Sequence, residues 1–167
     1  MARLFLAVWP TAPVIEQLRA VPTTDQPGVR WVPPENWHVT LRFFGDAEPD
    51  DVVARLAPGR GSLPSATAVF GPAVQQLGRR AFVVPVGGLE ELASVVGEAT
   101  ADIGAPVGRR PFNGHLTLAR LRRGTVAEVP NVSIAAEHRV ADIVLVNSDL
   151  TPVGATYRVI GRWATAS

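Results

Sequence analysis

Two tetrapeptides, HVTL beginning at His38 and HLTL beginning at His115, constrain the fold of this chain more than any other feature. Each ends a similar series of signals. An apolar run at residues 4–8, with Phe5 near its centre, leads through a helical stretch to His38. A second apolar run, containing Phe82, leads through another helical stretch to His115, and the spacing from phenylalanine to histidine is the same in both. Two strand–helix–strand units of equal length ending in one motif predict an internal duplication related by an approximate two-fold axis. That symmetry would bring both motifs to one place.

The remaining punctuation fits around this frame. Pro10 ends the first strand, and Thr11 caps a helix opened by Ala12 and Pro13, with Val14, Ile15 and Leu18 on one face. Residues 29–32 read as extended, Pro33 and Pro34 force a bend, and a strand over residues 38–44 closes at Gly45 and Asp46. A helix from Pro49 carries Val52, Val53 and Leu56 and ends at Pro58 and Gly59. Residues 67–74 and 80–86 read as a hairpin about Gly78. The longest helix is expected over residues 88–103, with Gly104 as its stop. Strands then follow at 115–121, 132–136, 140–146 and 157–163. The predicted class is α+β: antiparallel sheets in two lobes around a central cleft, helices packed outside, and one domain over residues 1–167.

Composition narrows the partners. With 47% hydrophobic and 19% charged residues the chain has the make-up of a globular protein, long enough to bury a core. No window approaches the ~20 apolar residues of a membrane helix, and Arg3 and Pro10 interrupt the start, so neither a spanning segment nor a signal peptide is expected. The absence of cysteine excludes disulfides and thiolate metal sites and favours an intracellular location, with the cytoplasm and a monomer as defaults. A formal charge of +1 offers no broad field for nucleic acid, so any nucleic-acid affinity would have to come from a local cluster. All 16 basic residues are arginine, grouped at Arg79 and Arg80, at Arg109 and Arg110, and at Arg120, Arg122 and Arg123. Compositional bias accounts for most of them; Arg120 alone is a site candidate.

In a strand, residues i and i+2 share a face, so His38 points with Thr40 and His115 with Thr117, opposite apolar neighbours that anchor each strand. Paired imidazoles can remove a proton from an attacking oxygen and supply one to a leaving oxygen near neutral pH. Threonine hydroxyls and a guanidinium suit the non-bridging oxygens of a phosphoryl group. No metal or cofactor is called for. A zinc hydrolase would need three or four ligands, and His138, the third histidine, has no threonine two residues on and reads as a surface residue.

The paired His-x-Thr-x motifs resemble the signature of the 2H phosphoesterase superfamily. More narrowly, RLFLAVWP, VRWVPPENWHVTLRFFGD, RRPFNGHLTLAR and LVNSDLTPVGATYRVI resemble, in order, the RNA 2',3'-cyclic phosphodiesterases once called 2'-5' RNA ligases. The resemblance implies His38 as the acid for the leaving 3' oxygen and His115 as the base for water, giving a 2'-phosphate. It also implies phosphate-binding roles for Thr40, Thr117 and Arg120, with an RNA end or small nucleotide bearing a cyclic phosphate as substrate. The chain departs from the pattern at Gly114, which loosens the approach to His115 where proline is common, and at Trp37, expected in the core. Phe5 and Phe82, at equivalent repeat positions, are candidates to line the cleft, against the default that apolar strand residues belong to the core. Strict alternation turns Arg120 away from His115, so its role requires a twist, a bulge or a long reach.

Other readings share these residues. The same fold serves small cyclic nucleotides or 2',5'-linked oligonucleotides, and a non-catalytic RNA-end binding module would keep the cleft. Ring opening by a 5'-hydroxyl in place of water would join RNA ends reversibly, with hydrolysis expected to dominate in an open cleft.

Overall fold

A computed structural model describes residues 2–57 and 62–167. In chain order the elements are β1 (Ala2–Val8), α1 (Ala12–Leu18), β2 (Val29–Trp31), a 3-10 turn (Pro34–Asn36), β3 (Val39–Ala47), α2 (Pro49–Arg55), β4 (Thr67–Phe70) and β5 (Gln75–Leu77). Then follow β6 (Ala81–Gly87), α3 (Glu90–Ala99), β7 (His115–Leu121), β8 (Ala136–Arg139), β9 (Asp142–Thr151) and β10 (Gly154–Ala164). The strands lie in the order β10-β9-β1-β3-β7-β6-β4-β8, with β2 beside β7 and β5 beside β6, and the pairings between these strands are antiparallel. This is the expected α+β architecture of two lobes. The lobes belong to one continuous sheet, joined where Val39 of β3 pairs with Leu116 of β7.

The sheet's two faces separate the core from the site. Leu4, Leu6 and Val8 of β1, Phe82, Val84 and Val86 of β6, and Leu116 of β7 share one buried cluster with α1, α2 and α3. Phe5, Ala7, Val144 and Val146 form a smaller cluster on the opposite, cleft-side face, with Trp9 and Tyr157 against it. Alternation along β1 thus gives one set of side chains to the helices and the other to the cleft.

Register corrects the repeat by one residue. Phe5 pairs with Phe43 and Ala7 with Thr40, whereas Ala81 pairs with Arg120 and Val83 with Thr117. The structural counterpart of Phe5 is therefore Ala81. Phe82 matches Leu6, is fully buried on the helix side, and does not line the cleft. Phenylalanines at matching spacing looked equivalent because a one-residue difference between the units is invisible until strands pair; such a slip moves a side chain to the other face.

Strand boundaries also move, and β9 and β10 run longer than expected. Gly45, at φ +67°, and Asp46 lie inside β3 and do not end it. The run at 67–74 splits at Gly71 and Pro72, and Pro72 has no N–H for a ladder; the pieces on either side pair with opposite ends of β6. Of residues 132–136, Ser133 makes a lone bridge to Ala73, and the strand begins at Ala136, where Phe70 of β4 supplies a partner. Alternating burial alone does not make a strand. The longest helix stops at Ala99, and Gly104 (φ +64°) serves contact with β3, where a Cβ would lie 2.4 Å from the Phe44 carbonyl oxygen. The expected helix breakers Pro58 and Gly59 lie outside the described residues, and α2 ends at Arg55.

One buried charge ties helix to sheet. Arg42 of β3 is 5% exposed; it donates through Nη2 to the carbonyls of Thr100 (3.3 Å) and Ile103 (2.8 Å), just beyond α3, and through Nη1 to that of Phe43 (2.8 Å). Its guanidinium also lies 4.7 Å from the centre of the Phe44 ring. These contacts place a cation against carbonyls at and after a helix end, where negative partial charge collects, although the Thr100 carbonyl also accepts from Ile103 N at 3.0 Å.

Candidate active site

The site is built at the seam between lobes. Val39 and Leu116, the registered pair between β3 and β7, each directly follow a motif histidine, so the seam brings His38 and His115 together. The charge of His115 acts on His38 across it.

Both imidazoles are held in the same way. His38 Nδ1 donates to the Asn36 carbonyl at 2.8 Å, and His115 Nδ1 donates to the Asn113 carbonyl at 2.8 Å. A carbonyl can only accept, so Nδ1 carries hydrogen in each ring and Nε2 is left for chemistry. Asparagine stands two residues before each motif histidine, in NWHVT and NGHLT, and extends the sequence repeat beyond the tetrapeptides. Neither Thr40 nor Thr117 spends its hydroxyl on a described residue, and both are half-buried.

A bulge resolves the orientation of Arg120. In β7 the register steps from Thr117 opposite Val83 to Ala119 opposite Phe82, so Leu118 is the extra residue and Arg120 returns to the face of His115 and Thr117. In β3 the same shift follows Thr40, with Leu41 extra, and turns Arg42 into the core and Phe43 to the cleft. The repeat thus includes the bulge. Its first copy presents a phenylalanine where the second presents an arginine.

The surroundings of the two histidines differ. His38 lies 4.8 Å from Phe5 and 5.6 Å from Trp9, with ring planes within 27° of parallel, and meets the edge of Tyr157 at 5.3 Å. Around His115 the matching β6 positions are Ala81, Val83 and Pro85. Burial lowers the His38 pKa from 6.5 to about 4; the Asn36 hydrogen bond opposes this, while the charges of Arg120 and His115 add to it. Arg120 and His115 are therefore within electrostatic reach of His38.

Trp37 is buried, as expected, and donates from Nε1 to the Val32 carbonyl at 3.0 Å. Gly114 does not loosen the approach to His115. It is buried, its carbonyl accepts from Val86 N at 2.9 Å, and a Cβ there would lie 2.2 Å from the Val86 carbonyl oxygen. Close approach of β6 requires glycine. His138 also departs from expectation: it sits half-buried on β8, its ring 5.8 Å from that of Phe70, and its Nε2 is shielded from solvent without a described partner. Among the described residues no three histidine, aspartate or glutamate side chains converge as metal ligands. No described helix is long and apolar enough to cross a membrane.

Comparison with known proteins bears on the fold and the family. The model of the LigT-like phosphoesterase family matches residues 8–76. An RNA 2',3'-cyclic phosphodiesterase of Thermus thermophilus is 32% identical over 97% of this chain and 89% of its own length. One of Geobacillus stearothermophilus is 35% identical over 56% of this chain, but the match spans only a third of that relative. Among solved structures, E. coli LigT complexed with 3'-AMP has a TM-score of 0.76 at 27% identity, covering 99% of both chains. The Thermus thermophilus protein TT0787 has a TM-score of 0.73 at 26% identity, covering 97% of both. The chain belongs to the LigT-like phosphoesterases, the 2H phosphoesterase family.

Proposed function

We propose that this protein opens the 2',3'-cyclic phosphate at an RNA end with water and leaves a 2'-phosphate. The observation that carries the reading is the placement of both motif histidines on one face at the lobe seam, each with Nδ1 held by a carbonyl and Nε2 free. His115 Nε2 takes a proton from water as its oxygen bonds to phosphorus. The bond from phosphorus to the 3' oxygen breaks, and His38 Nε2 gives that oxygen a proton. Thr40, Thr117 and Arg120 hold the non-bridging oxygens while charge builds on them.

The aromatic surroundings impose a condition on His38. It is neutral in the free protein at neutral pH and takes up its proton when the phosphate anion arrives, since an adjacent negative charge favours imidazolium. An imidazolium held in an unfavourable, dry setting is a strong acid, suited to an alkoxide leaving group. The test is incubation with a short RNA ending in a 2',3'-cyclic phosphate, with the product resolved as 2'- or 3'-phosphate. A 2'-phosphate is expected. A 3'-phosphate, or tight binding with no product, sinks the proposal.

A further inference from the structure

Arg30 is the second residue of the segment VRWVPPENWHVTLRFFGD, and the register gives it a definite place. On β2 it pairs directly with Arg120 of β7, and opposite residues in adjacent strands share a face, so both project on the cleft side. Its neighbour Trp31 turns the other way and contacts Phe82 on the core side. β2 lies on the same edge of β7 as β3, which puts Arg30 on the side toward the first lobe. The β9–β10 turn closes in there: a Cβ built on Gly154 would lie 3.8 Å from Arg30 Nη1.

Two like charges directly opposite one another in a sheet repel. Neither arginine has a hydrogen bond or ion pair with any described residue that would offset the repulsion, and both are exposed. Compositional bias explains arginine in place of lysine. It does not explain an unpartnered cation pair on the face that carries His115 and Thr117.

The spacing indicates what the pair meets. Arg120 is two registered steps along β7 from Thr117, roughly 7 Å at strand rise, and Arg30 is one strand, about 4.8 Å, to the side. Arg120 is taken by the group between the histidines; Arg30, level with it but one strand to the side, is left for a second anion within one nucleotide's length of that group. Resting on the phosphodiesterase reading above, we propose that Arg30 binds the next phosphate of the chain, the one on the 5' oxygen of the nucleotide whose ring is opened. Such a contact prefers RNA ends and 5'-phosphorylated nucleotides over nucleosides bearing the cyclic phosphate alone. A guanidinium can grip that phosphate through two parallel hydrogen bonds.

The probes are adenosine 2'-phosphate and adenosine 2',5'-bisphosphate, which differ by the 5'-phosphate only, with binding measured by calorimetry at fixed salt. The bisphosphate should bind about 10- to 100-fold tighter, the range of one charge-assisted contact. Arg30→Ala should abolish that preference and leave the 2'-phosphate within twofold, Arg30→Lys should keep part of it, and Arg79→Ala, an exposed arginine in a turn, should change neither. A wild-type preference under threefold, a preference that survives Arg30→Ala, an equal loss in Arg79→Ala, or no binding of either nucleotide overturns the assignment. Turnover of adenosine 2',3'-cyclic phosphate is assayed in parallel. No turnover with an intact, Arg30-dependent preference removes the phosphodiesterase reading and leaves the phosphate contact standing.

Discussion

The imidazole of His38 lies 4.8 Å from the ring of Phe5, with the two planes 27° apart. No equivalent is found among the described residues of the second lobe, where Ala81 occupies the position of Phe5. A duplicated motif has thereby acquired two unlike histidines. Aromatic packing excludes water from His38 and makes its charged form costly, which separates two groups that the motif alone leaves interchangeable.

The first prediction follows from that burial. The unfolded chain protonates His38 near pH 6.5 and the folded chain near 4, so unfolding takes up a proton between those values. The contribution of neutral His38 is complete above pH 6.5, is lost as pH falls from 6.5 to 4, and amounts to on the order of 3 kcal/mol. NMR titration should place His38 near 4, and Phe5→Ala should move it back toward 6.5. A wild-type value between 6 and 7 would refute the account.

His38→Ala and His115→Ala should each cost about 10²–10⁴ in rate on an RNA cyclic phosphate. The two variants part company when sulfur replaces the 3' bridging oxygen. A thiolate, with a conjugate acid near 8.5, leaves without a donated proton. His38→Ala should then lie within tenfold of the wild type while His115→Ala keeps its full loss. The opposite pattern would exchange the acid and base.

Arg42→Ala should destabilise without touching the chemistry. It strips charged donors from three carbonyls, two of them at the end of α3, and leaves a void against Phe44. A loss of roughly 2–4 kcal/mol is expected. Thermal unfolding should register a drop of about 5–15 °C, with activity per folded molecule within threefold. An unchanged midpoint would show that these hydrogen bonds carry no net stability.

Gly114→Ala should cost about 1–3 kcal/mol and slow turnover together, since relief of the clash with the Val86 carbonyl must shift either β6 or the backbone leading to His115. Gly108→Ala is the comparison, because a Cβ there meets nothing within 4 Å and its φ lies outside the left-handed region. If both variants lose equal stability, the close approach at Gly114 has no consequence.

The sequence by itself determined the two His-x-Thr strands, the helices preceding them and the α+β class, because those depend on local alternation, turn residues and a repeated motif. It also placed Trp37 in the core. Only the tertiary structure decided which residues stand beside the histidines. Pairing register moved Phe82 from the cleft to the core and made Ala81 the partner of Phe5. A bulge at Leu118 turned Arg120 toward the site, and the neighbouring strand brought Arg30 beside it. A face in a sheet is set by which backbone runs alongside and by one inserted residue, and both are long-range facts that no local pattern contains.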